Sequence, residues 1–405
     1  MSWKKIKLKY LANMRSGDSI TSDSIDGEGC YPVYGGGALR GYTESFTHEG
    51  NYILIGRQGA NCGSVRQVNG KFFASEHAVV VSHNSDVDNE WLYYLLESMN
   101  LNQYSISAAQ PGLAVSTIKN LEVNVPSYDL QIVTRKYINK KTKIFEAIIK
   151  QKENLIELLE QQRQSIITEA VTKGLNPNVK MKDSGVEWIG EIPEHWEVTK
   201  IKYTTYVKGR IGWQGLKSDE FIDEGPFLVT GTDFTQGFVN WDTCYHISEE
   251  RYNEAPPIQL QENDLLITKD GTIGKLAIVK EMPYKAILNS GVFVTRPFHN
   301  KYLSKYMYWL LSSTIFDKYI KFMETGSTIK HLYQETFVNF SYPIPTIVEQ
   351  TEILNYLDIK IGEIDSIKSN LVKQIEKLKE YRQSLIYEAV TGKIDVRDIE
   401  LDEVR

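Results

Sequence analysis

The chain carries the same helix twice. The segment Ile156–Thr172 recurs as Ile375–Thr391, with Arg163-Gln164-Ser165 matching Arg382-Gln383-Ser384 and Glu169-Ala170-Val171-Thr172 matching Glu388-Ala389-Val390-Thr391. The offset that carries Arg163 to Arg382 also carries Pro126 to Pro345, Gln131 to Gln350 and Tyr137 to Tyr356 without a gap. A long period with one helix per copy predicts two similar halves, each a globular part followed by a helix. Such a chain offers two related surfaces.

Both helices carry a seam. Alternate steps of four and three from Ile138 reach Thr142, Phe145, Ile149, Lys152, Ile156, Leu159, Arg163, Ile166 and Ala170. The same steps from Leu357 reach Ile361, Ile364, Lys368, Leu371, Ile375, Leu378, Arg382, Leu385 and Ala389. A sustained repeat of this period is a coiled-coil seam, and Gly362 is its one weak point. Each seam needs a partner, and the other copy lies in the same chain. An antiparallel pair is expected, because the segment between the copies lets the chain travel back. The modules would then be related by an approximate two-fold axis.

The expected fold is α+β: two globular domains and two long antiparallel coiled-coil helices, with a pseudo-two-fold internal repeat. The boundaries read as a first domain over 1–127, a helix over 128–174 and a linker over 175–195. A second domain over 196–345, a helix over 346–392 and a polar tail over 393–405 follow.

Composition narrows the classes. The 405 residues suffice for two ordinary cores. No run approaches the roughly 20 apolar residues of a membrane span, and the start, Met1–Tyr10, has no apolar stretch of the signal-peptide kind. Cys30, Cys62 and Cys244 are scattered, without metal-ligand spacing, which fits reduced thiols and a cytoplasmic location. A net charge of −6 means that any contact with nucleic acid must come from particular basic loops.

The globular parts also correspond. Trp3 and Lys7-Leu8-Lys9-Tyr10 match Trp196 and Lys200-Ile201-Lys202-Tyr203, and Ile53–Gly63 resembles Leu265–Gly274. Between these anchors the copies diverge, as two binding modules with different targets would.

The segment Asp183-Ser184-Gly185-Val186-Glu187-Trp188-Ile189-Gly190-Glu191-Ile192-Pro193 resembles the one that precedes a target recognition domain in specificity subunits of type I restriction–modification enzymes. Pro343-Ile344-Pro345 with Glu349-Gln350, and Arg382–Gly392, resemble that family's helix start and helix end. The resemblance runs over nearly the whole chain. It implies a non-catalytic subunit whose two target recognition domains each read one half of a bipartite sequence in double-stranded DNA. The helices would set the spacer and scaffold two modification (methyltransferase) subunits, and through them the restriction subunits. S-adenosylmethionine, ATP and Mg would belong to those partners, with no cofactor, metal or active site here. Two departures stand out. Leu130 occupies the place of Glu349, and Ser107-Ala108-Ala109 lies opposite Gly326-Ser327-Thr328.

Candidate DNA contacts follow from residue type and place. Arg57, Gln58 and Asn61 in one copy, and Lys269, Asp270, Thr272 and Lys275 in the other, follow an apolar strand beside glycines. There the backbone can turn tightly and Arg or Gln can reach guanine and adenine edges. The glycine run with Gly36 and Arg40, and the basic, aromatic loop with Lys208, Arg210, Trp213, Gln214 and Lys217, suit phosphate and base contact. Thr230 and Thr232 sit at a strand end, and Ser327, Thr328, Lys330 and His331 form a polar loop. Tyr93, Tyr94, Tyr306, Tyr308 and Trp309 lie at helical spacing beside leucines and read as core. There is no P-loop, methyltransferase or metalloprotease motif. A stand-alone DNA-binding protein, and a coiled-coil scaffold with non-DNA modules, remain open alternatives.

Overall fold

Two three-residue apolar runs explain the cores of the globular parts. In Ile53-Leu54-Ile55 and in Leu265-Leu266-Ile267 every side chain is buried, and successive residues point to opposite faces of a strand. Ile53 and Ile55 enter one apolar cluster and Leu54 another. Leu265 and Ile267 likewise enter one cluster, and Leu266 a second. A strand with no polar face must lie inside its sheet.

The computed structural model describes residues 3–35, 38–105, 112–210, 216, 220–323 and 331–397. In chain order the first part contains β1 (Lys4–Lys7), β2 (Ala12–Ser16), β3 (Tyr31–Gly35), β4 (Ala38–Thr43) and β5 (His48–Gly56). It continues with β6 (Val65–Ala74), β7 (Ala78–His83), α1 (Asn89–Ser98), α2 (Val115–Asn120), β8 (Glu122–Val125) and the long helix α3 (Tyr128–Lys173). The second part opens with β9 (Met181–Asp183), β10 (Glu191–Pro193), β11 (Glu197–Lys200), α4 (Ile201–Thr204), β12 (Thr205–Gly209) and β13 (Ile222–Val229). Then come β14 (Phe234–Thr235), β15 (Phe238–Val239), β16 (Tyr245–His246), α5 (Glu249–Asn253), β17 (Leu265–Thr268) and β18 (Leu276–Ile278). It closes with β19 (Ala286–Leu288), β20 (Val292–Pro297), α6 (Ser304–Leu311), α7 (Thr314–Met323), α8 (Gln334–Val338), β21 (Ser341–Ile344) and the long helix α9 (Ile347–Thr391).

The chain divides into two units, and the division cuts both long helices. Residues 1–154 and 371–405 form the first unit, and residues 155–370 the second. In the first, a six-stranded sheet runs β2-β7-β5-β6-β3-β4, with a separate β1-β8 pair. In the second, a six-stranded sheet runs β12-β20-β17-β18-β15-β14, beside a β16-β13-β19 sheet and the pairs β11-β21 and β9-β10. In each unit a short antiparallel pair leads directly into a long helix.

The seam is as its period requires. Every one of its positions on α3 and α9 is buried or half-buried, while Leu158 and Ile359, off the seam, are exposed. Within the first unit Lys152 Nζ donates to Gln374 Oε1 at 2.6 Å, and Arg382 lies 3.9 Å from Glu146. Within the second, Lys368 pairs with Glu160, and Arg163 lies 3.8 Å from Asp365. In both units numbers rise on one helix as they fall on the other, so the pairing is antiparallel. The repeat offset carries the Glu146–Arg382 pair onto the Asp365–Arg163 pair with the two helices exchanging roles. Gly362 remains inside α9 without breaking it.

Helix starts and ends repeat as well. Gln131 accepts from the Asp88 amide at 2.8 Å and donates to the Pro126 carbonyl at 3.1 Å. Gln350 accepts from the Leu303 amide at 2.8 Å and donates to the Pro345 carbonyl at 3.0 Å. At the far ends Gly174 and Gly392 take a left-handed conformation, where a side chain would run into Trp196 and Trp3 respectively. The helix-spaced aromatics are core: Tyr306 and Trp309 are buried, and Tyr93, Tyr94 and Tyr308 pack against the clusters.

Candidate nucleic-acid interface

The two loops singled out by the repeat share one backbone plan. After β5 the Gly56 amide bonds to Ser64 O and the Gly63 amide to Gly56 O. After β17 the Thr268 amide bonds to Lys275 O and the Gly274 amide to Thr268 O. Gly63 and Gly274 both have φ near +80°, and a side chain on Gly63 would fall 2.3 Å from the Asn102 amide nitrogen. Only glycine closes this turn without strain. Each loop is also held from two sides. His77 O accepts from the Arg57 amide and Arg57 O accepts from the Leu113 amide, while Gly291 O accepts from Lys269 and Lys269 O accepts from Leu332.

On that shared frame the side chains differ. In the first unit half-buried Arg57 donates from Nη1 to Ser16 Oγ at 2.9 Å, and exposed Gln58 meets His77 Nδ1 at 2.8 Å. Asn61 is exposed on the same turn, its carbonyl accepting from Ser64 Oγ. Exposed Arg40 lies over the backbone of Gly35, where an added side chain would sit 2.7 Å from Arg40 Cδ and 2.5 Å from Ser75 Oγ. Arg40, Arg57 and Gln58 therefore gather about the turn Ser75–Ala78.

In the second unit the Lys269 ammonium lies 5.2 Å from the Phe293 ring centre, and Asp270 pairs with exposed His331. Lys275 Nζ donates to Gly231 O at 3.2 Å, which brings the Thr230–Asp233 turn alongside. The Thr230 hydroxyl bonds to Thr232 Oγ1 at 2.6 Å and Asp233 Oδ2 at 2.8 Å, so the turn uses it internally; Thr232 stays exposed. Thr272 is exposed and its carbonyl accepts from the buried Thr268 hydroxyl, which also takes the Lys275 amide at 2.9 Å. Lys208 is exposed near the end of β12.

Arg210 departs from the expectation of a surface contact. It is 3% exposed, and its Nε donates to Leu288 O at 2.9 Å. The guanidinium ties β12 to β19 rather than facing outward, and burial lowers its pKa from the ordinary arginine value. Gly36, Trp213, Gln214, Lys217, Ser327, Thr328 and Lys330, with Ser107-Ala108-Ala109, lie outside the described residues.

Sequence reasoning did not single out Ser16, Glu76, His77 or Thr268. Glu76-His77 carries a faint signal, a charged and titratable dipeptide at the turn between two apolar strands. Among the described residues no group of His, Cys, Asp and Glu is placed to hold a metal ion, and no helix is long and apolar enough to cross a membrane. The three cysteines are free. Burial beside Asp233 pushes the Cys244 thiol up to about 12, which removes it from thiolate chemistry.

The sequence model of the type I restriction modification DNA specificity domain matches residues 1–159 and 193–377, one match in each copy of the repeat. The chain belongs to this family. The type I restriction enzyme EcoprrI specificity subunit of Escherichia coli is 41% identical over 141 residues, which is 34% of this chain and 35% of that relative. The MjaVIII specificity subunit of Methanocaldococcus jannaschii is 25% identical over 360 residues, 86% of this chain and 80% of that one. A structure solved in work on complex assembly and conformational transition of the type I restriction–modification system covers 97% of this chain and 98% of its own, with TM-score 0.69 at 14% identity. That likeness is one of fold, over nearly the whole of both chains.

Proposed function

We propose that this specificity-family chain is the non-catalytic DNA-reading subunit of a type I restriction–modification complex. Each unit reads one half of a bipartite target in double-stranded DNA. The long helices set the spacer and carry two methyltransferase subunits, and through them the restriction subunits. S-adenosylmethionine, ATP and Mg act on those partners, where a flipped adenine would be methylated.

The observation that supports this most is the pair of matched loops. One backbone plan presents Arg57, Gln58 and Asn61 in the first unit and Lys269, Asp270 and Thr272 in the second. A scaffold kept constant while its polar tips change is what two readers of different sequences need, because base edges are distinguished by the pattern of donors and acceptors. The carboxylate of Asp270 and the amide of Gln58 offer different patterns.

Gel-shift titration of the full chain with and without its cognate methyltransferase, followed by mapping of methylated adenines, tests the proposal. The expected result is one asymmetric, bipartite methylated sequence that requires both proteins. Tight specific binding by the chain alone with no methylation would support a stand-alone regulator, and no sequence preference under either condition would remove DNA reading altogether.

A further inference from the structure

The Gln58 side chain does not face a partner on its own. The turn Ser75–Ala78, closed by the Ala78 amide on Ser75 O at 2.9 Å, brings His77 against it. His77 Nδ1 lies 2.8 Å from Gln58 Oε1 and His77 Nε2 lies 3.2 Å from Glu76 Oε1. Glu76 is itself anchored, accepting from the Ile20 amide at 3.3 Å. The His77 carbonyl meanwhile takes the Arg57 amide, so the turn and the loop are tied by backbone as well as by side chain.

Both acceptors on His77 are oxygens, so both ring nitrogens must carry hydrogen for this arrangement. Such an imidazolium takes the carbonyl of Gln58 and leaves its NH2 group facing outward. When the ring is neutral, the carboxylate of Glu76 keeps the one hydrogen on Nε2. Nδ1 is then an acceptor, the Gln58 amide turns over to donate to it, and the carbonyl faces outward. An amide that presents NH2 matches a base-edge acceptor, guanine O6 or N7, thymine O4 or adenine N7. One that presents oxygen matches a donor, adenine N6 or cytosine N4.

We infer that His77 is a positioning residue whose protonation selects which face of Gln58 meets a base. The inference deepens the DNA-reading proposal and rests on it. The charged groups on the elements packed here are Glu76 on the same turn, Arg57 at the end of β5, Arg40 on β4 beside Ser75, and Asp18 on the exit of β2, which bridges to Ser75. Histidine is the side chain that ordinarily titrates in the physiological range.

Among the described residues of the second unit no histidine takes the corresponding place. Gly291 stands where His77 does, its carbonyl accepting from Lys269, and His331 reaches Asp270 from the other flank. An ionised carboxylate only accepts, so turning it over changes nothing.

The test uses the complex of the full chain with its cognate methyltransferase. Methylated adenines are read in a target library randomised one base at a time, at about pH 6 and about pH 8.5 on either side of the usual histidine range. At one position of one half-site the preferred base should move from guanine or thymine toward cytosine as pH rises, by about tenfold in relative rate, with adenine compatible with either state. His77→Ala should flatten that position and abolish its pH dependence, while His77→Gln should restore a fixed preference that does not titrate. The other half-site should not change in either variant.

A wild-type profile indifferent to pH at every position would overturn the inference without reliance on any variant. So would a His77→Ala profile that matches wild type, a loss spread over both half-sites, or Gln58→Ala leaving every preference intact. A wild-type complex that methylates no specific sequence would instead overturn the DNA reading itself.

Discussion

At the start of α3, Gln131 clamps the Asp88 amide and the Pro126 carbonyl. At the start of α9, Gln350 clamps the Leu303 amide and the Pro345 carbonyl with near-identical distances. One position earlier the copies part. Glu349 reaches back to the Thr346 amide and hydroxyl, and also takes Trp196 Nε1 at 2.9 Å and His195 Nε2 at 2.7 Å, whereas Leu130 packs against the core. The loops after β5 and β17 show the same division, with shared backbone bonds and exchanged tips. Buried polar groups allow few solutions, because an orphaned donor inside a core is costly. Exposed tips are free to change, and in this fold they are the places where targets would be told apart.

Removing a shared clamp should have the largest effect and should be equal in the two halves. Gln131→Ala and Gln350→Ala each strand a backbone N–H and a buried carbonyl, and each should destabilise its own unit by about 3 kcal/mol in denaturant titration. Unequal losses would break the equivalence of the two helix starts. The helix-end glycines should differ: a side chain would fall 2.5 Å from Trp3 at Gly392 but 3.1 Å from Trp196 at Gly174. Gly392→Ala should cost about 2 kcal/mol and Gly174→Ala about 1 kcal/mol, the left-handed backbone being common to both.

A smaller effect separates Glu349 from Leu130. Burial works against the Glu349 charge, but hydrogen bonds from Trp196, His195 and Thr346 outweigh it and hold the carboxyl down at about 2. The folded state thus prefers the ionised form more than the unfolded chain does. Its contribution is fully present above the ordinary glutamate range and is lost as pH falls through about 2. Glu349→Gln keeps an acceptor for Thr346 but removes the charge that His195 and Trp196 hydrogen-bond, and should cost about 1 kcal/mol at neutral pH, with the gap narrowing between about pH 4 and pH 2. Leu130→Gln should show no such pH dependence. Smallest is the partly exposed seam pair: Lys368→Ala should lower stability by about 0.5 kcal/mol, less in high salt.

The long helices were legible because a 3.5-residue repeat has one physical use, and every seam position faces inward. The frames of the two loops were legible too, since a three-residue apolar run followed by glycines repeats in both copies. Their neighbours were not. His77 and His331 reach Gln58 and Asp270 from different flanks, and strand register, not local spacing, decides that. Arg210 looked like part of a basic surface loop; the path of β12 past Leu288 turns it inward.

The central claim is that the two units read different halves of one target. The most direct measurement maps methylated adenines for complexes carrying Arg57→Ala or Lys269→Ala. The account predicts that each variant relaxes a different half-site, by about 1–3 kcal/mol of discrimination, and leaves the other half as in wild type. Equal loss at both halves in either variant would contradict it.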